Sequence, residues 1–272
     1  MVHGGAGPVP RKGVDERAYG DALERALDAA ARKLRRGALD AVQAAVEVLE
    51  DDPLFNAGRG SVPTADGAIE MDAALMCGRT RRAGAVAAVQ RARHPVRVAR
   101  AVMDRTPHVL LTAADHFAEE AGLELMDPAW FARRHRETPG TVGAVALDST
   151  SALAAATSTG GRRGQLAGRV GDSALVGAGT YADGACAVSM TGDGEPIVRA
   201  VAAHEISALI RLAGMTLDEA CERALAEVTS LGGAAGLIAL DRDGHVATPF
   251  TTGLMHRGWK IGDAALHTAT LP

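Results

Sequence analysis

Chemistry at neutral pH needs a nucleophile, a base or a metal held at a workable spacing, and several short runs invite that reading. Gly177-Ala178-Gly179-Thr180-Tyr181-Ala182 matches the G-x-G-x-x-A dinucleotide pattern and follows the apolar pair Leu175-Val176. A phosphate-binding turn must open a helix, whereas Asp183-Gly184 and then a strand-like stretch follow, so a close-packed turn is the better reading. His3-Gly4-Gly5-Ala6-Gly7 looks like a glycine-rich oxyanion loop, but no G-x-S-x-G supplies a serine nucleophile, and a structural turn is expected. His204-Glu205 begins like H-E-x-x-H, yet position 208 is Ala208, which leaves an ordinary helix surface. The other histidines are scattered and point to no metal centre.

What remains is a set of threonine- and glycine-rich blocks. They run Gly140-Thr141-Val142-Gly143-Ala144-Val145-Ala146-Leu147-Asp148, Ala156-Thr157-Ser158-Thr159-Gly160-Gly161, Gly168-Arg169-Val170-Gly171-Asp172-Ser173 and Thr191-Gly192-Asp193-Gly194-Glu195. Taken singly, each has a plain explanation: Thr141 opens a strand, Arg169 and Asp172 form a surface ion pair, Thr191 ends a strand, and Asn56 sits in a turn. Their joint order and intervals resemble the catalytic subunit of the plant-type asparaginase and isoaspartyl peptidase family. His3 to Gly7, Leu49 to Gly58 and Met71-Asp72-Ala73 resemble blocks of that family's other subunit, so the likeness spans nearly the whole chain.

The resemblance implies an α+β fold, a four-layer αββα sandwich of the N-terminal-nucleophile hydrolase type. One domain, 1–272, would be cut between Gly140 and Thr141 into fragments 1–140 and 141–272, with an exposed linker at about 127–140 ahead of the cut. Thr141 would then be both nucleophile and, through its freed α-amine, base. A threonine hydroxyl is a weak nucleophile until a neighbour takes its proton, and an α-amine with a reference pKa of about 7.7–8.0 can do so near neutrality. By the same resemblance, Thr159 hydrogen-bonds the nucleophile, the Thr191 hydroxyl and the Gly192 N–H hold the developing oxyanion, and Asn56 supports the surroundings. Arg169 and Asp172 would grip a free amino-acid end, with Gly192 beside it; arginine suits the α-carboxylate and aspartate the α-ammonium. The implied substrates are L-asparagine and β-aspartyl dipeptides, no cofactor takes part in catalysis, and processed αβ units pair as a homodimer. A structural sodium is implied within Leu49, Glu50, Asp52, Phe55 and Ala57. A glycosylasparaginase-like amidase for larger side-chain amides and an uncleaved, inactive scaffold are the competing expectations; a crowded pocket beside Asp172 favours the small substrates.

The chain departs from the family pattern in four places. Only Met1 and Val2 precede the His3 block, which implies a shortened first strand or a start lying upstream. The linker is brief, Cys77 stands where the family commonly has aspartate, and Thr251-Thr252-Gly253-Leu254 differs from the usual polar segment.

The elements that must hold these residues can be read from periodicity. Helical spacing covers Val14 to Leu34, and a second helix after Asp40, opened by an Asp40/Gln43 capping box, ends before Pro53. Ala68 to Met76 alternates as a half-buried strand, with Glu70 and Asp72 on its polar side, and another strand covers Ala85 to Val89. Pro95 opens a helix through Met103, and Thr112 caps one that stops at Gly122. Thr141 to Leu147 and Ala152 to Thr157 form a hairpin about Asp148-Ser149-Thr150-Ser151. Strands at Cys186 to Thr191, Gly236 to Asp241 and His245 to Phe250 surround two helices, the second opened by a Thr216/Glu219 capping box. Strands in hairpins and helices in pairs favour a layered α+β architecture over a βαβ winding.

Composition narrows the classes. With 3% aromatic residues and a net charge of -4, the chain lacks the stacking platforms and basic surface of a nucleic-acid binder; Arg79, Arg81 and Arg82 form one small solvated cluster. Three unclustered cysteines argue against a disulfide framework and for a reducing compartment, and no apolar run reaches membrane-spanning length. A cytoplasmic protein without nucleic-acid or membrane partners is expected.

Overall fold

The computed structural model describes residues 1–9, 14–131, 140–262 and 264–272. In chain order the elements are β1 (Val2–Gly7), α1 (Glu16–Leu34), α2 (Ala38–Asp51), β2 (Met71–Cys77), β3 (Ala83–Val89), α3 (Pro95–Arg105), β4 (Leu110–Thr112), α4 (Asp115–Glu120) and α5 (Pro128–Phe131). Then follow β5 (Val142–Leu147), β6 (Leu153–Thr159), β7 (Thr180–Ala182), β8 (Cys186–Gly192), α6 (Gly194–Ala200), α7 (Ala202–Ala213), α8 (Leu217–Ser230), β9 (Ala235–Asp241), β10 (Val246–Ala247), β11 (Leu254–Trp259) and β12 (His267–Ala269).

The strands form two sheets in a mixed α/β architecture. The larger has the order β12-β11-β1-β5-β6-β2-β3-β4 and the smaller β10-β9-β8-β7. Alternation along β2 assigns its residues: Met71, Ala73 and Leu75 join a core with α1, α2 and α3, whereas Met76 joins Val145 and Ala155 in a second core with the smaller sheet. That second core also takes in Ile206 of α7 and Ala224 and Val228 of α8. Small side chains let these elements approach closely: Ala154, Ala155 and Ala156 follow one another on β6 and are almost wholly buried.

Several expected elements are present. α1 starts where Asp15 accepts from the Ala18 N–H at 3.1 Å, and α8 carries the full capping box of Thr216 and Glu219. The β5–β6 hairpin pairs Val142 with Ser158 through Leu147 with Leu153. The run Gly177 to Ala182 leads into strand β7 and opens no helix, as its rejection required.

Other expectations need correction. α2 begins at Ala38, ahead of Asp40, because Asp148 from the hairpin turn accepts from the Ala38 N–H at 3.0 Å; Asp40 instead binds Arg100. Thr112 lies in β4 and caps nothing: α4 starts at Asp115, whose carboxylate accepts from the Gln90 and Arg91 N–H groups. β2 is buried on both faces, and neither Asp72 within it nor Glu70 just before it is exposed to solvent. His3 to Gly7 is strand, not turn. The strand expected at His245 to Phe250 is confined to Val246–Ala247. Within the proposed linker, Pro128–Phe131 is helical and Phe131 is fully buried, while 132–139 lie outside the described residues.

Candidate active site

The β5–β6 hairpin sets the centre of the site. Thr141 immediately precedes β5 and the pairing register places it opposite Thr159, the last residue of β6. The Thr141 hydroxyl donates to Thr159 Oγ1 at 3.2 Å, and Thr159 Oγ1 also accepts from the Gly161 N–H at 3.1 Å. Both threonines are buried. Gly140 adopts φ +73°, in the left-handed region that glycine enters freely. A Cβ at that position would stand 2.8 Å from Gly5 Cα and 2.9 Å from Thr191 Oγ1, so backbone and hydroxyl crowd the peptide before Thr141. Thr191, near the end of β8, accepts from the Ala6 N–H at 3.1 Å, which fixes its hydroxyl against β1. Gly192 follows it with φ +134°.

Asn56 holds the segment that follows β6. Its side-chain amide donates to Gly161 O at 2.7 Å and accepts from the Val62 N–H at 3.0 Å, and its carbonyl accepts from the Gly160 N–H. It therefore anchors the turn that leaves Thr159.

Arg169 and Asp172 do converge, but not as an ion pair with each other. Arg169 Nε donates to Glu195 Oε1 at 2.9 Å and Nη1 to Gln165 Oε1 at 3.2 Å. A Cβ on Gly194 would lie 2.8 Å from Arg169 Nη2 and 2.9 Å from Asp172 Oδ1, so a cation and a carboxylate face one space left open by a glycine. The arginine pulls the Glu195 carboxyl down to about 2, while burial pushes Asp172 up to about 7. Asp172 Oδ2 is buried without a hydrogen-bond partner among the described residues, the condition of a group waiting for a donor. Thr191 to Glu195 is one continuous run, so it joins the threonine cluster at one end to this open space at the other.

A folded pKa of about 7 against the ordinary 3.8 means that the native chain binds more protons than the unfolded one between those values. Stability contributed at Asp172 therefore falls as pH rises through that window. Asp172→Asn should be more stable than wild type, and melt higher, by a margin that grows from pH 5 to pH 8 and reaches a free energy on the order of 1–4 kcal/mol at the upper end. A margin in thermal melts that is flat or shrinks with pH refutes this.

His3 belongs to the interior rather than to the chemistry. Its Nε2 bonds Ser189 Oγ at 2.8 Å, Ser189 Oγ bonds Thr157 Oγ1 at 2.8 Å, and Thr180 donates to Thr157 at 2.6 Å, a buried chain between the sheets. Burial holds the imidazole down at about 3, far too weak a base for the Thr141 hydroxyl near neutrality.

Sequence reasoning missed four polar residues. Glu195 was visible as the end of the Thr191 block without a role; Gln165 gave no signal; Glu70 and Asp72 were visible in the alternation of β2 but were assigned to solvent.

The residues expected around a sodium ion fit one. Glu50 Oε1 accepts from the Val96 N–H at 3.0 Å and Oε2 lies 3.3 Å from His94 Nδ1, while its carbonyl oxygen faces the loop beside Gly58. A Cβ on Gly60 would overlap Phe55 O and lie 3.1 Å from Pro53 O, so the loop is a cradle of carbonyl oxygens kept open by glycine. Such neutral hard oxygens, each with two lone pairs, suit an alkali cation.

With the geometry in place, comparison with known proteins assigns the chain. A family model described as Asparaginase matches residues 1–139 and 132–270, and the chain belongs to that family. It is 46% identical over 292 residues to an isoaspartyl peptidase of Escherichia coli, covering 95% of this chain and 91% of that protein. It is 43% identical over 290 residues to a plant-type L-asparaginase of Pyrobaculum calidifontis, covering 95% of each chain. A probable isoaspartyl peptidase/L-asparaginase 2 of Arabidopsis thaliana shares 35% identity over 316 residues, with 98% of this chain and 97% of that one covered.

Proposed function

We propose that this protein is a self-processing amidohydrolase that releases L-aspartate from L-asparagine and from β-aspartyl dipeptides. The observation that carries the reading is the Thr141–Thr159 hydroxyl pair at 3.2 Å, beside Thr191 and directly after the left-handed Gly140. In maturation, Thr141 Oγ1 attacks the Gly140 carbonyl carbon, the Gly140–Thr141 C–N bond breaks, and the resulting ester is hydrolysed by water. Fragments 1–140 and 141–272 remain together as one four-layer αββα domain; helices against each sheet, with a core between the sheets, support that layering.

The freed amine of Thr141 then takes the proton of its own hydroxyl as Oγ1 attacks the substrate's side-chain carbonyl. Thr191 and the Gly192 N–H stabilise the oxyanion; ammonia or the dipeptide's amine leaves with the proton, and water releases aspartate from the acyl-enzyme. Arg169 takes the α-carboxylate and Asp172 the α-ammonium. The enclosed position of Asp172 favours these small zwitterions over a glycosylated amide. Two processed units would pair in the cytoplasm; among the described residues no helix is long and apolar enough to cross a membrane. The test is to pair mass spectrometry of the incubated chain with assays of ammonia and aspartate. A chain that stays intact and inert to both substrates defeats the reading and restores the scaffold alternative.

A sodium ion would be held by carbonyls of Leu49, Glu50, Asp52, Phe55 and Ala57, stiffening the loop that carries Asn56. Replacing sodium by tetramethylammonium at constant ionic strength should lower the melting temperature, with recovery that saturates in sodium and reaches about 2.7 kcal/mol at a hundred times Kd. Identical melts in the two salts exclude the site.

A further inference from the structure

Glu70, immediately before β2, and Asp72 within it are two residues apart, and they are only 7% and 2% exposed. Neither forms a direct ion pair among the described residues. Each binds instead to the segment that carries Arg169: Glu70 Oε2 accepts from the Gly168 N–H at 2.7 Å, and Asp72 Oδ2 accepts from the Gly171 N–H at 3.2 Å. The two amides bracket Arg169 and Val170, and the second immediately precedes Asp172. Asp72 is itself held from behind. Its Oδ1 accepts from the Ala88 N–H at 3.0 Å, where β3 departs from regular pairing between Met71 and Ala73 and Ala88 takes φ +54°. A non-glycine residue in that region is strained, and such strain persists only where surrounding contacts hold it.

Buried carboxylates that accept backbone N–H groups form charge-assisted bonds stronger and more directional than neutral ones. From the geometry we infer that Glu70 and Asp72 are positioning residues, a pair of brackets that fixes the Arg169 guanidinium relative to the Asp172 carboxylate and so sets the spacing of the zwitterion grip. The inference rests on the substrate reading given above. The charges that face Asp72 are Arg169 and Glu70, and Asp72 in turn acts on Asp172. Their sum places negative potential behind the position of the α-ammonium. Burial pushes the Asp72 carboxyl up to about 6, still ionised at neutral pH.

The test uses the full-length, self-processed protein. Asn at position 72 can still accept from Ala88 but turns an NH2 group toward the Gly171 N–H. For Asp72→Asn, fragmentation should go to completion and kcat stay within about threefold, while KM for both L-asparagine and a β-aspartyl dipeptide rises about tenfold or more, as loss of a charged hydrogen bond implies. The inhibition constant of L-aspartate should rise by the same factor. Glu70→Gln keeps an acceptor and should raise KM by about two- to fivefold. A merely structural role would lower the melting temperature and the active fraction with KM unmoved, and that result overturns the brackets. Should Asp72→Asn fail to fold, Glu70→Gln decides, an unchanged KM being the adverse outcome. A wild-type chain inactive on both substrates removes the functional reading and the brackets with it, whereas an active wild type beside variants of unaltered KM removes the brackets alone.

Discussion

Thr141→Ala should remain a single uncut chain under all incubations and release no ammonia, a loss of at least about 10⁴-fold in turnover, in line with removal of a nucleophile elsewhere. One hydroxyl is asked to perform both acts. Its deletion removes the attack on Gly140, and because no cut occurs, the α-amine that would serve as base never forms. Misfolding is a poor rival explanation here. Among the described residues the hydroxyl makes one hydrogen bond, to Thr159, and a neutral hydrogen bond contributes only about 0.5–1.5 kcal/mol. The variant should therefore melt within a few degrees of an uncut wild-type sample. Thr141→Ser keeps an oxygen at the same place and should still fragment and turn over, more slowly. The decisive measurements are intact-mass spectrometry and the N-terminal sequence of the second fragment, which should begin Thr-Val-Gly-Ala. Splitting before position 141 in the alanine variant would disprove the mechanism.

How much of this site could be read before the fold was known depends on how local each signal is. The β5–β6 hairpin was legible because its alternation and the Asp148 to Ser151 turn lie within a few residues of each other, and α8 was legible because Thr216 and Glu219 cap one another. Where the partner is remote, local rules misled. Asp40 and Gln43 spell a capping box, yet Asp148, distant in sequence, caps Ala38 and moves the helix start. Glu70 and Asp72 look like a solvated edge because polar alternation usually marks a wet face. Here that face lies toward the smaller sheet, and the carboxylates are satisfied by Gly168, Gly171 and Ala88, which no window on β2 could contain. The extent of β1 was misread for another reason: a shortened first strand is expected, but Gly4, Gly5 and Gly7 read as turn, and only pairing with β11 carries the strand through to Gly7. The threonines were found through the ordered likeness of their blocks, while Glu195, which grips Arg169, could not be assigned until the side chains were seen together.

Arg169→Ala separates recognition from self-processing. On the proposed mechanism fragmentation draws on Thr141 and Gly140, and the Arg169 side chain bonds Glu195 and Gln165 instead, so the variant should cut itself to the same masses as wild type. Substrate use should suffer heavily. In the Michaelis complex Arg169 is asked to pair with the α-carboxylate from a site where its side chain is only 17% exposed. Truncating one partner of a buried charge pair costs about 2–5 kcal/mol, so kcat/KM should fall roughly thirtyfold to several thousandfold, chiefly through KM. Lysine at the position should recover little, because an ammonium cannot reproduce the planar fork that now reaches Glu195 and Gln165 together. The chemical signature is selectivity: the penalty should be large for L-asparagine and for β-aspartyl dipeptides, and much smaller for an analogue whose α-carboxylate is an amide, which wild type itself handles poorly. Equal losses on the free acid and its amide would mean that Arg169 serves the pocket's architecture, and the carboxylate would then have to be met by another group.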